Sequence, residues 1–556
     1  MKNKYLNHLI EKSSDFYVLN IKIIMVNKRR LFLFFIGLML VGAFIRIYRI
    51  NSFGLYGDEK QSILIAVANT NYGGMGDLLL PPATFTPSDF WKSRGIKSWI
   101  DADIRGDISG NSLVHDMALK LFSFLFGKSD GALRSVSVLF NLMTLWLLFY
   151  WARKLRPHQE AWPLAILLLA VLEPFFVIYS QQARNYTTSI FFTTASNYFF
   201  WNLIIKGDKL AFKSKDLLGW ILTSLFALFS TYLTALVLVG QFVYLIFLSK
   251  ISWPNWKKLA IGSLGFLAPL FSWMYWGPGQ YAYEFQKDSG SQYLNYLKSN
   301  GPVIGWIEES NPTNLIKKSI YILSDSFFLT NDLYNRHGYK IGFILLVSFF
   351  VLILTFISKI KEKSEKNFYY LGLIQIVLPI IFLVFAALNA GTTTGFFLRY
   401  ASFSIPFGIF LSVGVVDYLL KLNIWVKGLI LLIATIQIYF LILQIKPLYT
   451  DSRQKYTFSS NRGINPYPII ANKIIKSYTP GDTVLYPSKL NNFLNAKNLK
   501  DRLADVSDAQ LVNLYLDDTF NFIQKIDTAY KDSVILKKAN GQKVLIFDFE
   551  KGKYRY

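Results

Sequence analysis

The sequence predicts a mainly α-helical, polytopic membrane protein with about eleven transmembrane helices. Hydrophobic residues make up 53% of the 556-residue chain and aromatic residues 17%, which differs from the mixture of an ordinary soluble domain. Apolar runs nearly free of charge recur along it, as at 31–45, 340–358 and 427–445. About twenty helical residues are needed to cross a hydrocarbon core of about 30 Å, so these runs predict spans.

The distribution of basic residues predicts the orientation of these helices. The formal net charge is +24, and most Lys and Arg form short clusters beside apolar runs, such as Lys28–Arg30, Arg153–Arg156 and Lys359–Lys363. Short loops rich in Lys and Arg stay on the cytoplasmic side of a membrane. The charge therefore has a topological explanation, and no nucleic acid partner is expected. We expect a multi-pass protein of the inner (plasma) membrane.

The predicted spans lie within residues 31–445 and leave two long polar connections. Those connections, 51–131 and 278–339, are expected at the outer face, and connections of such length are often functional. The eleven predicted spans are 31–50, 132–151, 161–179, 185–205, 217–232, 234–250, 259–277, 340–359, 367–388, 400–420 and 427–445.

Two segments before the second span need separate interpretation. Residues 1–30 are expected to be cytoplasmic, and the natural start is either Met1 or Met25. Segment 112–127 has apolar residues at helical spacing, but charged residues interrupt them. This pattern favours an interfacial amphipathic helix over a twelfth span. With 112–127 outside the membrane, every basic cluster falls on one side.

The composition changes after the last predicted span. Residues 446–556 are polar, with strand-like pieces at 483–486 and 543–547 between helical stretches. This pattern predicts a small α/β domain on the periplasmic or extracellular side.

Several kinds of chemistry are not supported by the residues. Cysteine is absent, and the four His do not form an HExxH pattern, so neither a thiolate site nor that type of zinc site is indicated. No P-loop or Rossmann glycine motif occurs, which argues against a nucleotide-sugar donor bound by those devices.

Charged residues instead gather at the outer ends of the predicted helices. Asp58 and Glu59 follow helix 1. Arg184 lies in Ser180–Tyr186 after helix 3, and Arg399 precedes helix 10. A guanidinium presents a fork of donors that suits two phosphate oxygens. Taken singly, each of these residues also fits a solvated loop acid or an interfacial anchor.

Considered together and in this order, the motifs resemble a known family. They are Asp58-Glu59, Leu133–Leu139 at the start of helix 2, Ser180–Tyr186 and Leu398–Tyr400. Over about residues 30–445 the chain resembles the GT-C fold integral membrane glycosyltransferases, in the dolichyl-phosphate-mannose protein mannosyltransferase and aminoarabinose transferase branch.

The resemblance implies roles for the charged residues. Asp58 would be the catalytic base or a metal ligand, with Glu59 as its catalytic partner. Arg184, Arg399 and Tyr400 would contact the donor phosphate. The implied partners are a polyprenyl-phosphate-linked sugar donor, membrane lipid, and an acceptor lipid, glycan or protein.

Acceptor and metal handling are less defined by the resemblance. Asp107, His115 and Tyr186 are candidate acceptor or metal residues, and a divalent metal ion is left open as a cofactor. The chain departs from the family where it has Gly110–His115 in place of a His-Pro-Pro segment, and Thr231-Tyr232 in place of a His-Tyr pair.

The expected activity is transfer of the sugar to an acceptor on the outer (periplasmic) face, with inversion at the anomeric carbon. Two alternatives remain at this point. A transporter or flippase of lipid-linked sugars would place ionisable groups deep in the membrane, and Glu173 in helix 3 is such a group. A noncatalytic membrane scaffold could present the C-terminal domain to a partner.

Overall fold

The computed structural model places the chain in a helical bundle with a small sheet. It describes residues 29–52, 54–55, 57–68, 84–91, 96–106, 111–205, 214–248, 253–276, 278–303, 306–328, 339–450, 452, 454–456, 463–487, 507–516, 519–527, 529 and 532–549. Both candidate start residues, Met1 and Met25, lie outside the described residues.

Helices dominate the described residues. In chain order they are α1 (Arg29–Ile47), α2 (Gly57–Ala66), α3 (Pro87–Trp91), α4 (Ile96–Gly106), α5 (Leu113–Phe126), α6 (Asp130–Leu155), α7 (Ala161–Val171), α8 (Pro174–Ser180), α9 (Tyr186–Phe200), α10 (Ser214–Leu228), α11 (Ala235–Leu248), α12 (Trp253–Trp276), α13 (Pro278–Asn300), α14 (Pro312–Ser326), α15 (Tyr339–Lys359), α16 (Lys363–Ala390), α17 (Ile405–Leu419), α18 (Ile424–Tyr449), α19 (Tyr467–Ser477) and α20 (Ser507–Asn513).

The predicted polytopic membrane fold is confirmed. Among the described residues, seven helices are long and apolar enough to cross a membrane, or eight if the bent pair α7 and α8 is one span. Each of the eleven predicted spans contains a helix; those at 185–205, 217–232 and 234–250 contain the shorter α9, α10 and α11. The shortness of α9 has a local cause, since the chain continues as a π-helix over Trp201–Ile205.

The predicted span 161–179 is not one straight helix. α7 and α8 are bent by 54° relative to each other. Pro174 begins α8, and the carboxylate of Glu173 caps it by accepting a hydrogen bond from the Phe176 backbone N–H at 2.5 Å. Proline supplies no N–H and clashes with the preceding turn, so the Glu173-Pro174 pair ends one helix and starts the next.

The segment predicted to be interfacial forms α5. Its 14 residues extend about 21 Å, which is less than the hydrocarbon core of about 30 Å. α5 buries His115 and Leu119 but exposes Leu121 and Phe124. α5 thus has one face packed against the protein and one exposed apolar face, as expected of an amphipathic helix at the membrane interface.

The polar segment 278–339 contains two helices that the sequence analysis does not assign. α13 follows α12 directly, and α14 starts at Pro312. The Asn311 side chain accepts a hydrogen bond from the Asn314 backbone N–H at 2.9 Å. An Asn followed by Pro is a recognisable helix start, so the sequence did contain a signal for α14.

The C-terminal segment forms the predicted α/β structure. Its strands join one sheet in the order β1-β3-β2-β4-β5, where β1 is Thr84–Phe85, β2 Thr483–Pro487, β3 Ile523–Asp527, β4 Ser533–Lys537 and β5 Lys543–Asp548. β2 and β3 are parallel, and the other neighbours are antiparallel. The two strands predicted from the sequence, β2 and β5, are confirmed. β1 comes from the first outer connection, so the sheet joins two distant parts of the chain.

Candidate active site

Asp58 is the accessible carboxylate at the start of α2. It lies in the first turn of that helix, where the helix dipole favours a negative charge. Its Oδ2 is 3.4 Å from a guanidinium nitrogen of Arg399, and the two side chains are 35% and 13% exposed, respectively. The structure therefore brings together the two residues that the resemblance makes base and phosphate ligand.

Glu59, the expected partner of Asp58, is buried and faces elsewhere. Arg134 of α6 donates to both of its oxygens, at 2.7 and 3.0 Å. The Ala183 backbone N–H also donates to Glu59, at 2.9 Å. A buried carboxylate bound in this bidentate way is costly to disturb, because either charge left alone would lack compensation. These contacts support a structural role for Glu59 in fixing α2.

Arg134 is a residue whose role the sequence analysis missed. It is fully buried, and it also donates to the Gly54 carbonyl oxygen at 3.0 Å. A charged residue near the end of an apolar helix requires a partner. The position of Arg134 in the sequence therefore indicated that it has one. The partner, Glu59, could not be deduced from spacing because it is 75 residues away.

Arg184 lies beside Asp58 but contacts the backbone of α2. One guanidinium nitrogen donates to the Asp58 carbonyl oxygen at 3.1 Å and to the Ser62 hydroxyl at 2.9 Å. These contacts connect the segment between α8 and α9 to α2. The predicted phosphate contact of Arg184 stays a prediction.

Arg399 is surrounded by aromatic rings. It lies in a short 3-10 turn, Leu398–Tyr400, before α17. Its guanidinium donates to the Tyr400 hydroxyl at 2.8 Å, and its carbon is 4.8 Å from the Tyr400 ring centre and 5.9 Å from that of Phe397. Stacking of this kind orients a guanidinium without consuming all its donors.

Tyr293 of α13 is a further residue near this pair. Burial raises its pKa above the ordinary tyrosine value, and the charges of Tyr400 and Asp58 raise it further while Arg399 lowers it. The hydroxyl is therefore neutral and able to donate a hydrogen bond at neutral pH. Tyr293 was not among the predicted site residues, because no helix was predicted in this segment.

His115 and Tyr186, candidate acceptor or metal residues, are both buried beside the arginines. His115 Nδ1 lies 2.9 Å from the Thr188 hydroxyl. Burial, together with the charge of Arg184, lowers the pKa of His115 to about 3, so its ring is neutral. The Tyr186 ring packs against that of Tyr179, with ring centres 4.7 Å apart.

No metal centre emerges from the described part of the chain. Among those residues, no group of three or more His, Asp or Glu lies close enough to hold a metal ion. Asp107, the remaining candidate ligand, lies outside the described residues. Asp58 therefore belongs to no such group among the described residues, and a divalent metal ion as cofactor stays an open prediction.

The charged residues deeper in the bundle have structural partners. Arg46 is fully buried and donates to Asn141 at 2.5 Å and to the Val171 carbonyl oxygen at 3.2 Å. It therefore satisfies the end of α7, while Glu173 caps the start of α8. The pair stabilises the backbone at the bend between the two helices.

One part of the chain matches a protein family. Residues 111–276 match the family described as "Dolichyl-phosphate-mannose-protein mannosyltransferase". The match extends from the start of α5 to the end of α12 and includes His115, Arg134 and Arg184. No curated protein matches the sequence significantly.

Several solved structures are similar to this chain at low sequence identity. ArnT from Cupriavidus metallidurans in the apo state is 14% identical, with 86% of this chain and 75% of that chain covered and a TM-score of 0.45. The same protein bound to undecaprenyl phosphate gives 12% identity, the same coverage and a TM-score of 0.43. AglB, the oligosaccharyltransferase from Archaeoglobus fulgidus, in complex with an inhibitory peptide and a dolichol-phosphate, is 13% identical, with 82% and 58% covered and a TM-score of 0.45.

The matched segment carries one of the motifs on which the resemblance rests, and the other motifs lie on either side of it. The segment carries the Ser180–Tyr186 motif, and the structure places Asp58 and Arg399 from either side of the match next to that motif. The family match over residues 111–276 thus agrees with the resemblance to protein mannosyltransferases drawn from the sequence.

Proposed function

We propose that the protein transfers a sugar from a polyprenyl phosphate to an acceptor at the periplasmic face of the inner membrane, with Asp58 as the base. The observation that carries the proposal is the placement of the accessible Asp58 carboxylate 3.4 Å from Arg399. A carboxylate that can serve as a base and a cation suited to phosphate are thus adjacent, near the starts of α2 and α17.

Asp58 and Arg399 have separate roles in a single displacement at the anomeric carbon. Asp58 removes the proton of an acceptor hydroxyl as its oxygen attacks the anomeric carbon. The bond from that carbon to the phosphate oxygen breaks, and the phosphate leaves with the electron pair. Arg399 stabilises the charge that develops on the leaving phosphate. Attack from the side opposite the leaving group inverts the anomeric centre.

The ion pair between the two residues also suggests how the base becomes available. In the structure Arg399 binds Asp58 directly. A donor phosphate competes for the same guanidinium, because it can accept two parallel hydrogen bonds from it. Donor binding therefore releases Asp58 to accept a proton. Tyr400 holds the guanidinium during this exchange, since it binds a different nitrogen.

The transporter alternative loses its main support. Glu173 suggested a coupling group inside the membrane, yet its carboxylate caps α8 and is buried. The scaffold alternative does not explain why Asp58 and Arg399, 341 residues apart, form a pair at an accessible position.

The first test is transfer of label from defined donors. Membranes containing the chain receive undecaprenyl phosphate carrying radiolabelled glucose, galactose, mannose or 4-amino-4-deoxyarabinose, one sugar at a time. Label is then measured in the lipid, glycan and protein fractions. Asp58→Asn should lower the transfer rate by at least about 100-fold, which is what a general base contributes. The matched control is Asp101→Asn, which changes an exposed aspartate of α4 and should leave transfer unchanged.

Each result has a defined meaning. Loss in Asp58→Asn with retention in the control supports the proposed base. Equal transfer by both variants removes Asp58 from the mechanism. Absence of transfer from the unaltered chain with every donor and acceptor fraction would favour the transporter or the scaffold.

A further inference from the structure

Three successive residues of α2 attach this helix to three different parts of the protein. Consecutive helical side chains diverge by about 100°. Asp58 faces Arg399 next to α17, and Glu59 binds Arg134 of α6. Lys60 points to the C-terminal domain, where it reaches Tyr467 of α19. The two residues that follow Asp58 thus attach α2 to α6 and to the C-terminal domain.

The contact of Lys60 is a buried chain of hydrogen bonds. Its ammonium donates to the Tyr467 hydroxyl at 2.7 Å and lies 5.0 Å from the centre of that ring. The same hydroxyl donates to the Asp508 carboxylate of α20 at 2.9 Å. All three side chains are buried. Lysine is seldom buried without a compensating partner, and buried polar chains are strong only when each member is satisfied.

The packing around this chain extends the attachment. Ile63 and Leu64 of α2 belong to the same buried cluster as Ile470 of α19, Val512 of α20 and Val484 of β2. The proposed catalytic helix therefore shares its hydrophobic core with the C-terminal sheet. Burial of these apolar side chains stabilises the contact between α2 and the C-terminal domain.

The domain is also fastened to the bundle at places that do not involve Lys60. The Asn465 amide donates to Asp130 at the start of α6 at 2.6 Å. The Gly54 backbone N–H donates to the Gly463 carbonyl oxygen at 2.5 Å. The domain therefore has independent anchors that keep it docked when the contact to Lys60 is removed.

We infer that Lys60, Tyr467 and Asp508 are positioning residues through which the C-terminal domain sets the orientation of Asp58. The inference rests on the proposed function, in which Asp58 is the base. It makes the C-terminal domain a part of the catalytic apparatus. A displacement of a reacting group by about 1 Å can reduce a rate about 100-fold, so a small rotation of α2 is enough to matter.

The catalytic test removes the polar group of Tyr467 or of Lys60. Tyr467→Phe keeps the ring in the core but breaks both hydrogen bonds, and Lys60→Met removes the ammonium. Each should lower kcat for the undecaprenyl-phosphate-linked sugar that the chain accepts by tenfold or more, with KM for that donor within twofold. Tyr478→Phe is the matched control, since Tyr478 ends α19 and packs on Phe522 with ring centres 5.0 Å apart. It should leave kcat unchanged.

A second readout does not depend on activity. The chain contains no cysteine, so Asp58→Cys places a single thiol at the position of the proposed base. Its alkylation by a polar maleimide reports the accessibility of residue 58 in the purified full chain. Adding Tyr467→Phe should change the alkylation rate at least threefold, whereas adding Tyr478→Phe should not.

The two readouts separate the inference from the proposed function. Equal alkylation rates in the Tyr467→Phe and Tyr478→Phe backgrounds would overturn the inference, whatever happens to transfer. A changed rate with no loss of kcat in Tyr467→Phe would also overturn it. A changed rate in a chain without any transfer activity would leave the anchoring of α2 intact and reject the proposed function alone.

Discussion

At the scale of single residues, Asp58 and Glu59 are adjacent in the sequence but have different environments. Asp58 is accessible, whereas Glu59 is buried against Arg134. An acidic pair in a sequence suggests two catalytic carboxylates, and only burial and partners distinguish them. The same applies to the arginines, because Arg184 holds α2 while Arg399 keeps its guanidinium among aromatic rings beside Asp58.

The position of Arg399 predicts a binding defect. Arg399→Ala should weaken binding of undecaprenyl phosphate to the purified chain by about 10- to 100-fold, since a hydrogen bond to a charged group contributes about 1.5–3 kcal/mol. Arg399→Lys should bind with intermediate affinity, because an ammonium keeps the charge but not the fork. Binding is measured by displacement of a fluorescent polyprenyl phosphate in detergent.

The control for this measurement is Arg153→Ala. Arg153 is an exposed residue in the last turn of α6, so its removal changes the net charge equally without touching the site. Affinity that stays the same in Arg399→Ala, or falls equally in both variants, would contradict a phosphate contact by Arg399.

At the scale of elements, the bend between α7 and α8 shows where charge inside a membrane is structural. Two helix ends meet there inside the bundle, and each leaves backbone groups without helical partners. Arg46 satisfies carbonyl groups of α7, and Glu173 satisfies an amide of α8. Hydropathy could place a span at 161–179, but it could not show the bend, because it is insensitive to one Glu-Pro pair.

This assignment leads to a prediction that separates a cap from a coupling group. Glu173→Gln should retain sugar transfer within about twofold, because an amide oxygen can still accept the Phe176 N–H. Glu173→Ala should lower the free energy of unfolding by about 1 kcal/mol, the usual cost of a lost cap. Transfer assays and thermal unfolding in detergent check the two variants. Loss of sugar transfer in Glu173→Gln with unchanged stability would show that the carboxylate does more than cap α8.

At the scale of the whole molecule, the sequence predicted what depends on local pattern. Apolar length located the bundle helices, and the strand-like pieces at 483–486 and 543–547 located β2 and β5. It did not predict what depends on distant contacts: Tyr293 reaches the site from a segment interpreted as a loop, and β1 at Thr84–Phe85 pairs with a strand about 440 residues later. A two-residue strand such as β1 shows no recognisable sequence pattern, because only its pairing with another strand makes it a strand.

The orientation of the whole molecule gives the last prediction. Positive loops predict that the α15–α16 connection is cytoplasmic and that the C-terminal sheet is outside. In the cysteine-free chain, Lys361→Cys and Gln542→Cys place single thiols at exposed positions of that connection and of the β4–β5 turn. An impermeant maleimide added to intact spheroplasts should label Gln542→Cys alone. Permeabilised spheroplasts, in which both should react, are the control.

The reverse pattern would put Asp58 and Arg399 on the cytoplasmic side, because α2 and the C-terminal domain share one core. The donor would then have to be presented on that side, so the sidedness of two thiols decides which membrane face the proposed reaction uses.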